Sequence, residues 1–340
     1  MSVLCVFTAL WLCGCGKNTN GISGEHGTVA GTLTPTAIPT DSPTPTATPS
    51  PTVTPTFTPS LTPTLPPEDL SAPEFKGTAY VVTNGNGEVV LAKNAQQQLY
   101  PASTIKMLTA LTAMDYATMD TLLTAKADQL VIDADVYKYG GYTEGVVEGM
   151  TYPLREWMHM LLISSCGDAA NVIAGNIGGT IEHFLELMNQ KALELGMTHT
   201  HVDNPIGLDI GNGFENITST AEDMSRLAYA FYQNKELLEI AGKAQYQVPD
   251  CEQMKGKLLK NSNSYLLQPT RFHSDYFEAI GSKSGSTKAA GNCFVITAVG
   301  KDDAVYIISV FGAPYGTLEA RDGMFDNITA ILEYCFKNKK

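Results

Sequence analysis

Residues 101–107 read Pro-Ala-Ser-Thr-Ile-Lys-Met, and this stretch decides how the rest of the chain is interpreted. Pro101 is typical of a helix start, and the apolar residues that follow recur with helical spacing. We therefore expect Ser103 in the first turn of a helix, with Lys106 three residues later on the same face. A serine beside a lysine that is neutral for part of the time is a nucleophile paired with its base.

Two further polar motifs follow, Ser165-Cys166-Gly167 and Lys283-Ser284-Gly285. A helical pattern that begins after Pro153 breaks before the first of these motifs and resumes with Asp168 as the expected N-cap. Ser165 is therefore predicted on a loop between two helices. The third motif, Lys283-Ser284-Gly285, lies in a strand-like segment, so the three motifs are predicted on a helix, a loop and a strand.

The chemistry of the site requires that Lys106 lose its proton near neutral pH. Burial and a second cation both lower the pKa of a lysine, and Lys283 is the candidate for that cation. Lys283 is also expected to attract a substrate carboxylate, with help from the hydroxyl groups of Ser284, Ser286 or Thr287.

In this order the three motifs resemble the signature of penicillin-binding proteins and class A β-lactamases. The segments 101–107, 203–208, 219–223 and 281–285 resemble serine-type D-alanyl-D-alanine carboxypeptidases, and the resemblance extends from about Thr78 to the C-terminus. It implies a mixed α/β (α+β) fold of the β-lactamase/transpeptidase type, in which a central antiparallel sheet of N- and C-terminal strands is flanked by helices. The additional C-terminal β-domain of many members is expected to be absent.

The resemblance also implies the reaction, which is hydrolysis of the D-Ala-D-Ala bond of peptidoglycan stem peptides through an acyl-enzyme on Ser103. β-Lactams would be covalent inhibitors, and neither a cofactor nor a metal is implied. The N–H groups of Ser103 and Ser286 would form the oxyanion hole. The expected site residues are listed by role: catalytic Ser103, Lys106 and Ser165; substrate-binding Lys283, Ser284, Gly285, Ser286 and Thr287.

Two positions depart from the family pattern. Ser284 stands where threonine is commoner, which keeps the hydroxyl group. Gly167 stands where asparagine is expected, which removes an amide that would hold the substrate backbone. Asn171 is six residues after Ser165 and is expected to be structural.

Three alternatives stay open from the residues alone. A β-lactamase would need a carboxylate-held water, but no Glu-x-x-x-Asn stands in the expected region near 201–204. A non-catalytic, penicillin-binding cell-wall lipoprotein is suggested by Gly167. A zinc peptidase is suggested by His199, His201 and Asp203, although their spacing matches no established zinc motif.

Several secondary elements can be predicted from sequence patterns. A β-hairpin is expected from strand-like runs on both sides of residues 84–87, which read Asn-Gly-Asn-Gly. Further predicted strands cover 293–299 and 304–311. Predicted helices cover 180–195, 219–231 and 318–335, and the second of these has Ser219 and Glu222 in capping-box spacing.

The N-terminal region predicts export and anchoring. Residues 1–15 form an apolar run too short to span a bilayer and end in Leu-Cys-Gly-Cys, which resembles a bacterial lipobox with Cys15 as the lipidated residue. Residues 16–71 hold a Thr/Pro-rich linker predicted to be extended, and residues 72–340 form the catalytic domain. We expect an extracytoplasmic protein, lipid-anchored to the bacterial membrane, or a secreted one if Cys15 is not lipidated.

Charge and cysteine content restrict the partners further. The formal net charge of -13 argues against nucleic-acid binding, because that function needs a basic surface. The four cysteines after the leader fit neither a disulfide framework nor a zinc ligand pattern and are expected to be free thiols.

Overall fold

A computed structural model describes part of the chain, namely residues 65–66, 69–130, 144–209 and 217–340. The predicted signal peptide, Cys15 and residues 16–64 of the predicted linker lie outside these ranges. Within them, no helix is both long enough and apolar enough to cross a membrane.

Contacts with the folded domain begin before the predicted domain start at residue 72, because Leu65 already packs against a hydrophobic core. The carboxylate of Asp69 accepts hydrogen bonds from the Tyr334 hydroxyl at 2.9 Å and the Lys340 ammonium at 2.7 Å. These contacts attach the start of the domain to its last helix.

The described ranges contain a main sheet and several two-stranded pairs. In chain order the strands are β1 (Ala79–Asn84), β2 (Val89–Lys93), β3 (Gln98–Leu99), β4 (Leu122–Thr124), β5 (Thr151–Pro153), β6 (Ser219–Thr220), β7 (Gln245–Gln247), β8 (Leu258–Lys260), β9 (Phe277–Thr287), β10 (Gly291–Gly300) and β11 (Val305–Ala313). Five of them form the main antiparallel sheet in the spatial order β2-β1-β11-β10-β9. The sheet therefore joins N- and C-terminal strands as predicted, and β9 lies at one edge.

The predicted hairpin is confirmed and joins β1 to β2. The side chain of Asn84 accepts hydrogen bonds from the N–H groups of Asn86 and Glu88, at 3.0 and 3.1 Å. Gly87 has a φ of 82°, a backbone conformation that glycine adopts without a steric penalty. The Asn-Gly sequence thus supplies both the local hydrogen bonds and the left-handed residue that the turn requires.

The helices lie on both faces of this sheet. In chain order they are α1 (Lys106–Tyr116), α2 (Leu154–Ile163), α3 (Gly167–Ile177), α4 (Ile181–Glu194), α5 (Ala221–Gln233), α6 (Lys235–Ala241), α7 (Ser264–Leu267) and α8 (Leu318–Asn338). Short 3₁₀ turns cover Ala102–Ile105 and Ala127–Gln129.

Successive residues of β1 pack into two different hydrophobic cores. Val81 packs with the core that contains Leu108 of α1 and Trp157 of α2. Its neighbour Val82 packs with the core that contains Phe325 of α8. Because both faces of the sheet are covered, its strands are apolar on consecutive residues and do not alternate with polar ones.

Two predicted helix starts are wrong. The helix predicted from Ser219 begins at Ala221, and its N-cap is Thr220, whose hydroxyl accepts a hydrogen bond from Asp223 N–H at 3.1 Å. Ser219 is in β6 because it pairs with Leu99 of β3, a contact that sequence spacing does not reveal. Asp168, the predicted N-cap after the second motif, is in the first turn of α3, which begins one residue earlier.

The prediction of free thiols is confirmed for the cysteines of the described ranges. Cys166, Cys293 and Cys335 are buried and Cys251 is half-buried, and none forms a disulfide. Burial raises the pKa of the first three to about 12, so these thiols stay protonated.

Candidate active site

Ser103 and Lys106 lie where the 3₁₀ turn Ala102–Ile105 passes into α1. Ser103 is in that turn, not in the first turn of the α-helix, and Lys106 is the first residue of α1. The three-residue spacing still brings the two side chains together, because the Lys106 Nζ donates to Ser103 Oγ at 2.9 Å. The serine faces a cleft, while Lys106 is buried behind it.

The environment of Lys106 suits a base. Burial lowers its pKa from 10.5 to about 7, because a charged ammonium is poorly solvated in the interior. Its amine also donates to the Ile206 carbonyl at 2.5 Å. A substantial neutral fraction can therefore accept the Ser103 proton near neutral pH.

Ser165 lies, as predicted, in the turn between α2 and α3. Its φ of 61° is unusual for a residue with a side chain and holds the hydroxyl toward the cleft side of the turn. The Nζ of Lys283 donates to Ser165 Oγ at 2.9 Å. The first, second and third motifs thus form two serine–lysine pairs.

Lys283 in β9 is buried, and its Nζ also donates to the Ser284 carbonyl at 2.7 Å. Its pKa lies well below the ordinary value, first because of burial and second because of the positive charge of Lys106. The sequence predicted that Lys283 lowers the pKa of Lys106. In the structure burial is the main reason for the lowered pKa of both lysines, and the charge of Lys106 lowers the pKa of Lys283 further.

The hydroxyl groups after Lys283 point in different directions. Ser284 Oγ lies 2.5 Å from Ser262 Oγ, and Ser286 Oγ donates to Asn292 Oδ1 at 2.7 Å. Thr287 is buried, and its hydroxyl bonds to the Asp209 carboxylate. This placement does not support the predicted substrate contact of Thr287, because strand alternation turns its side chain inward.

A cleft of about 280 Å³ lies in front of these groups. Its lining comprises Ser103, Ile163, Ser164, Ser165, Lys260, Ser262, Ser284, Gly285 and Ser286. Lys260 and Ser262 were not predicted. They lie at the end of β8 and just after it, where an ordinary polar stretch carries no motif, so only the tertiary fold identifies them.

The second motif contributes no side-chain amide at Gly167. This residue is the buried first residue of α3, and Asn171 lies one turn further on. The side chain of Asn171 donates to the backbone carbonyl of Gln129 at 3.1 Å, so the residue is structural, as expected.

The zinc alternative has no candidate cluster in the described part of the chain. No group of three or more His, Cys, Asp or Glu side chains there could hold a metal ion. His199 and His201 are exposed, and the backbone of His201 pairs with Thr218.

A family model for D-alanyl-D-alanine carboxypeptidases, peptidase family S11, matches residues 67–314. D-alanyl-D-alanine carboxypeptidase DacB2 of Mycobacterium tuberculosis is 30% identical over 248 residues, which are 73% of this chain and 79% of that protein. DacF of Bacillus subtilis, another D-alanyl-D-alanine carboxypeptidase, is 27% identical over 259 residues, 76% of this chain but only 61% of that protein.

Solved structures show the same fold. A crystal structure of a D-alanyl-D-alanine carboxypeptidase from Mycobacterium tuberculosis has a TM-score of 0.67 at 27% identity, covering 81% of this chain and 96% of that one. A DD-transpeptidase of Streptomyces has a TM-score of 0.67 at 23% identity, and the match covers 79% of this chain and 100% of that one. The predicted fold class is therefore confirmed.

The close approach of β9 to the Ser103 turn yields a test. A Cβ atom on Gly285 would lie 2.8 Å from Ser103 N and 2.9 Å from Thr104 N, so Gly285→Ala must displace the turn. We expect the rate constant of penicillin acylation to fall about 100-fold, since a small displacement of reacting groups has effects of this size. Stopped-flow measurement with a fluorescent penicillin checks this.

The matched control is Gly323→Ala in α8, where a new Cβ meets no atom within 4 Å. It should leave acylation unchanged and stabilise the protein by about 0.5–1 kcal/mol, the helix preference of alanine over glycine. Equal acylation by wild type and Gly285→Ala would show that β9 does not set the position of Ser103.

Proposed function

The chain belongs to the D-alanyl-D-alanine carboxypeptidase family, peptidase S11, and from this premise we propose that Ser103 carries the acyl group in its reaction. The observation that supports this most strongly is the 2.9 Å hydrogen bond between Ser103 Oγ and a buried lysine amine at the cleft. The substrates are peptidoglycan stem peptides that end in D-Ala-D-Ala.

In the first step neutral Lys106 takes the Ser103 proton, and Ser103 Oγ attacks the carbonyl carbon of the penultimate D-alanine. The C–N bond breaks, and the departing D-alanine needs a proton on its nitrogen. The proton that Lys106 took from Ser103 is proposed to reach this nitrogen through the Ser165 hydroxyl, to which the Lys283 amine donates a hydrogen bond. Water then hydrolyses the ester and restores Ser103, and a β-lactam would form the corresponding ester by opening its ring.

The backbone and the cleft wall supply the remaining interactions. The N–H groups of Ser103 and Ser286 are the proposed oxyanion hole, and Gly285 allows the two segments to approach. Ser262, Ser284 and Lys260 line the cleft and are proposed to receive the C-terminal carboxylate. Faster hydrolysis of a D-Ala-D-Ala peptide amide than of the free acid would contradict that last assignment.

Replacement of the nucleophile tests the proposed function. We expect Ser103→Ala to form no covalent penicillin adduct and to release no D-alanine, because Ser103 is the cleft hydroxyl bonded to Lys106. The measurements are intact-protein mass after penicillin treatment and enzymatic detection of D-alanine.

The control is Ser225→Ala, which removes a buried hydroxyl that donates to the Glu222 carbonyl at 2.7 Å within α5. It should retain both reactions. Release of D-alanine by Ser103→Ala at a rate near that of wild type would show that another group is acylated.

We also propose that the catalytic domain, residues 72–340, is tethered to the outer face of the cell membrane through lipidated Cys15. Two features of the sequence support this: the Leu-Cys-Gly-Cys end of the apolar leader, and eleven of the chain's 18 prolines between residues 35 and 67. A polyproline-like segment of this length reaches up to about 100 Å. The enzyme would thereby reach wall peptides away from the membrane.

Detergent phase partitioning of the protein expressed in bacteria tests the anchor. The wild type should enter the detergent phase and Cys15→Ser the aqueous phase, with equal D-alanine release by both. Recovery of the wild type in the aqueous phase with an unmodified Cys15 would refute the anchor without affecting the proposed reaction.

A further inference from the structure

The backbone carbonyl of Ile206 is the second partner of the Lys106 amine. Nζ donates to this oxygen at 2.5 Å, and Ser103 Oγ lies 3.4 Å from the same atom. The second motif offers no amide here because it has Gly167, and Ser165 bonds to Lys283. The position of the Ile206 carbonyl therefore determines how the proposed base is held.

Asn204 holds this carbonyl in place through the backbone around it. Its Oδ1 accepts hydrogen bonds from the N–H groups of Ile206, Gly207 and Leu208, at 3.2, 2.7 and 3.1 Å. Its Nδ2 donates to the Leu208 carbonyl at 2.9 Å and to Asp203 Oδ1 at 2.8 Å. The side chain of Asn204 is buried, and its single amide bonds to backbone groups of all three residues of the 206–208 turn.

The same turn is pressed against the Ser103 segment. Gly207 has a φ of 87°, and a Cβ atom there would lie 2.2 Å from the Ala102 carbonyl oxygen. On the other side, Thr109 Oγ1 of α1 donates to the Pro205 carbonyl at 2.8 Å. The turn thus has little freedom to move relative to the serine and the lysine.

We propose that Asn204 is a positioning residue for this reaction. Asn204 holds the Ile206 carbonyl in place, and this carbonyl orients the Lys106 amine. A neutral amine has two N–H bonds and one lone pair. When one N–H is held by a carbonyl, the lone pair can be directed at the Ser103 hydroxyl. This inference rests on the proposed function, in which Lys106 is the base.

A carbonyl suits this place better than a carboxylate. It accepts a hydrogen bond from both the neutral and the charged amine, and it has no net charge to raise the pKa of Lys106. A carboxylate in the place of the Ile206 carbonyl would stabilise the ammonium and make the lysine a poorer base at neutral pH.

Two substitutions separate positioning from charge. Asn204→Ser is neutral but cannot accept from three N–H groups, so it should lower the acylation rate constant about tenfold at every pH, with unchanged non-covalent affinity for penicillin. Asn204→Asp keeps an acceptor oxygen for the three N–H groups, but it adds a charge and replaces the Nδ2 donor to Leu208 and Asp203 by a second oxygen. It should move the midpoint of the pH–acylation profile up by about one unit, because an adjacent anion favours protonated Lys106.

The matched control is Asn189→Asp on α4. Asn189 also bridges backbone groups of this region, with Oδ1 accepting from Val202 N–H at 3.0 Å and Nδ2 donating to the Val202 carbonyl at 2.8 Å. The side chain of Asn189 forms no hydrogen bond to the described 206–208 turn. We expect Asn189→Asp to lower the melting temperature without changing the acylation constant or the pH midpoint of the folded protein.

Full-length variants are measured by stopped flow with a fluorescent penicillin, and circular dichroism gives the folded fraction. Thr109→Val removes the hydrogen bond from α1 to the Pro205 carbonyl and should lower the acylation rate constant about threefold. This variant provides a test even if both Asn204 variants fail to fold. Acylation constants within twofold of wild type in the folded variants would overturn the positioning role. Labelling of Ser103→Ala would instead overturn the proposed function, so the two failures are distinguishable.

Discussion

Burial of a lysine amine beside a serine hydroxyl is the constraint on which the rest of this site depends. Lys106 is 1% exposed, and its hydrogen bonds go to Ser103 and to the uncharged Ile206 carbonyl. Its pKa falls from 10.5 to about 7 as a result of burial. Because the unfolded chain binds this proton more tightly, stability rises with pH between these two values and is lower on the acid side. The base is thus obtained at the expense of stability below neutral pH.

The fold brings together groups that are distant in the sequence. The 3₁₀ turn before α1 carries Ser103, the α2–α3 turn carries Ser165, and the edge strand β9 carries Lys283. The backbone is strained next to one serine and at the other, since Ala102, which precedes Ser103, has a φ of 48° and Ser165 has a φ of 61°. Such conformations persist only when the surrounding structure fixes them, here through the packed Gly207 turn and the second serine–lysine pair.

Sequence patterns predicted the hairpin, the strands β10 and β11, and the helix α8, because each has a strong local signal. The three-residue spacing also predicted that Ser103 and Lys106 meet, whereas the bond between Ser165 and Lys283 is visible only in the structure. The catalytic roles of these residues remain predictions. The inward position of Thr287, the cap at Thr220 and the lining residue Lys260 could not be predicted, since each depends on a tertiary contact or on strand pairing. Asn204 was inside a segment recognised by resemblance, yet its bonds to the 206–208 backbone become visible only in three dimensions.

Direct titration of Lys106 tests the central claim most closely. In protein labelled with ¹³C-lysine, the Cε chemical shift of Lys106, assigned by its absence in Lys106→Met, can be followed as a function of pH. We expect a midpoint near 7, the value to which burial lowers this pKa. A midpoint above about 9, close to that of an ordinary lysine, would contradict the claim that Lys106 is the base that activates Ser103.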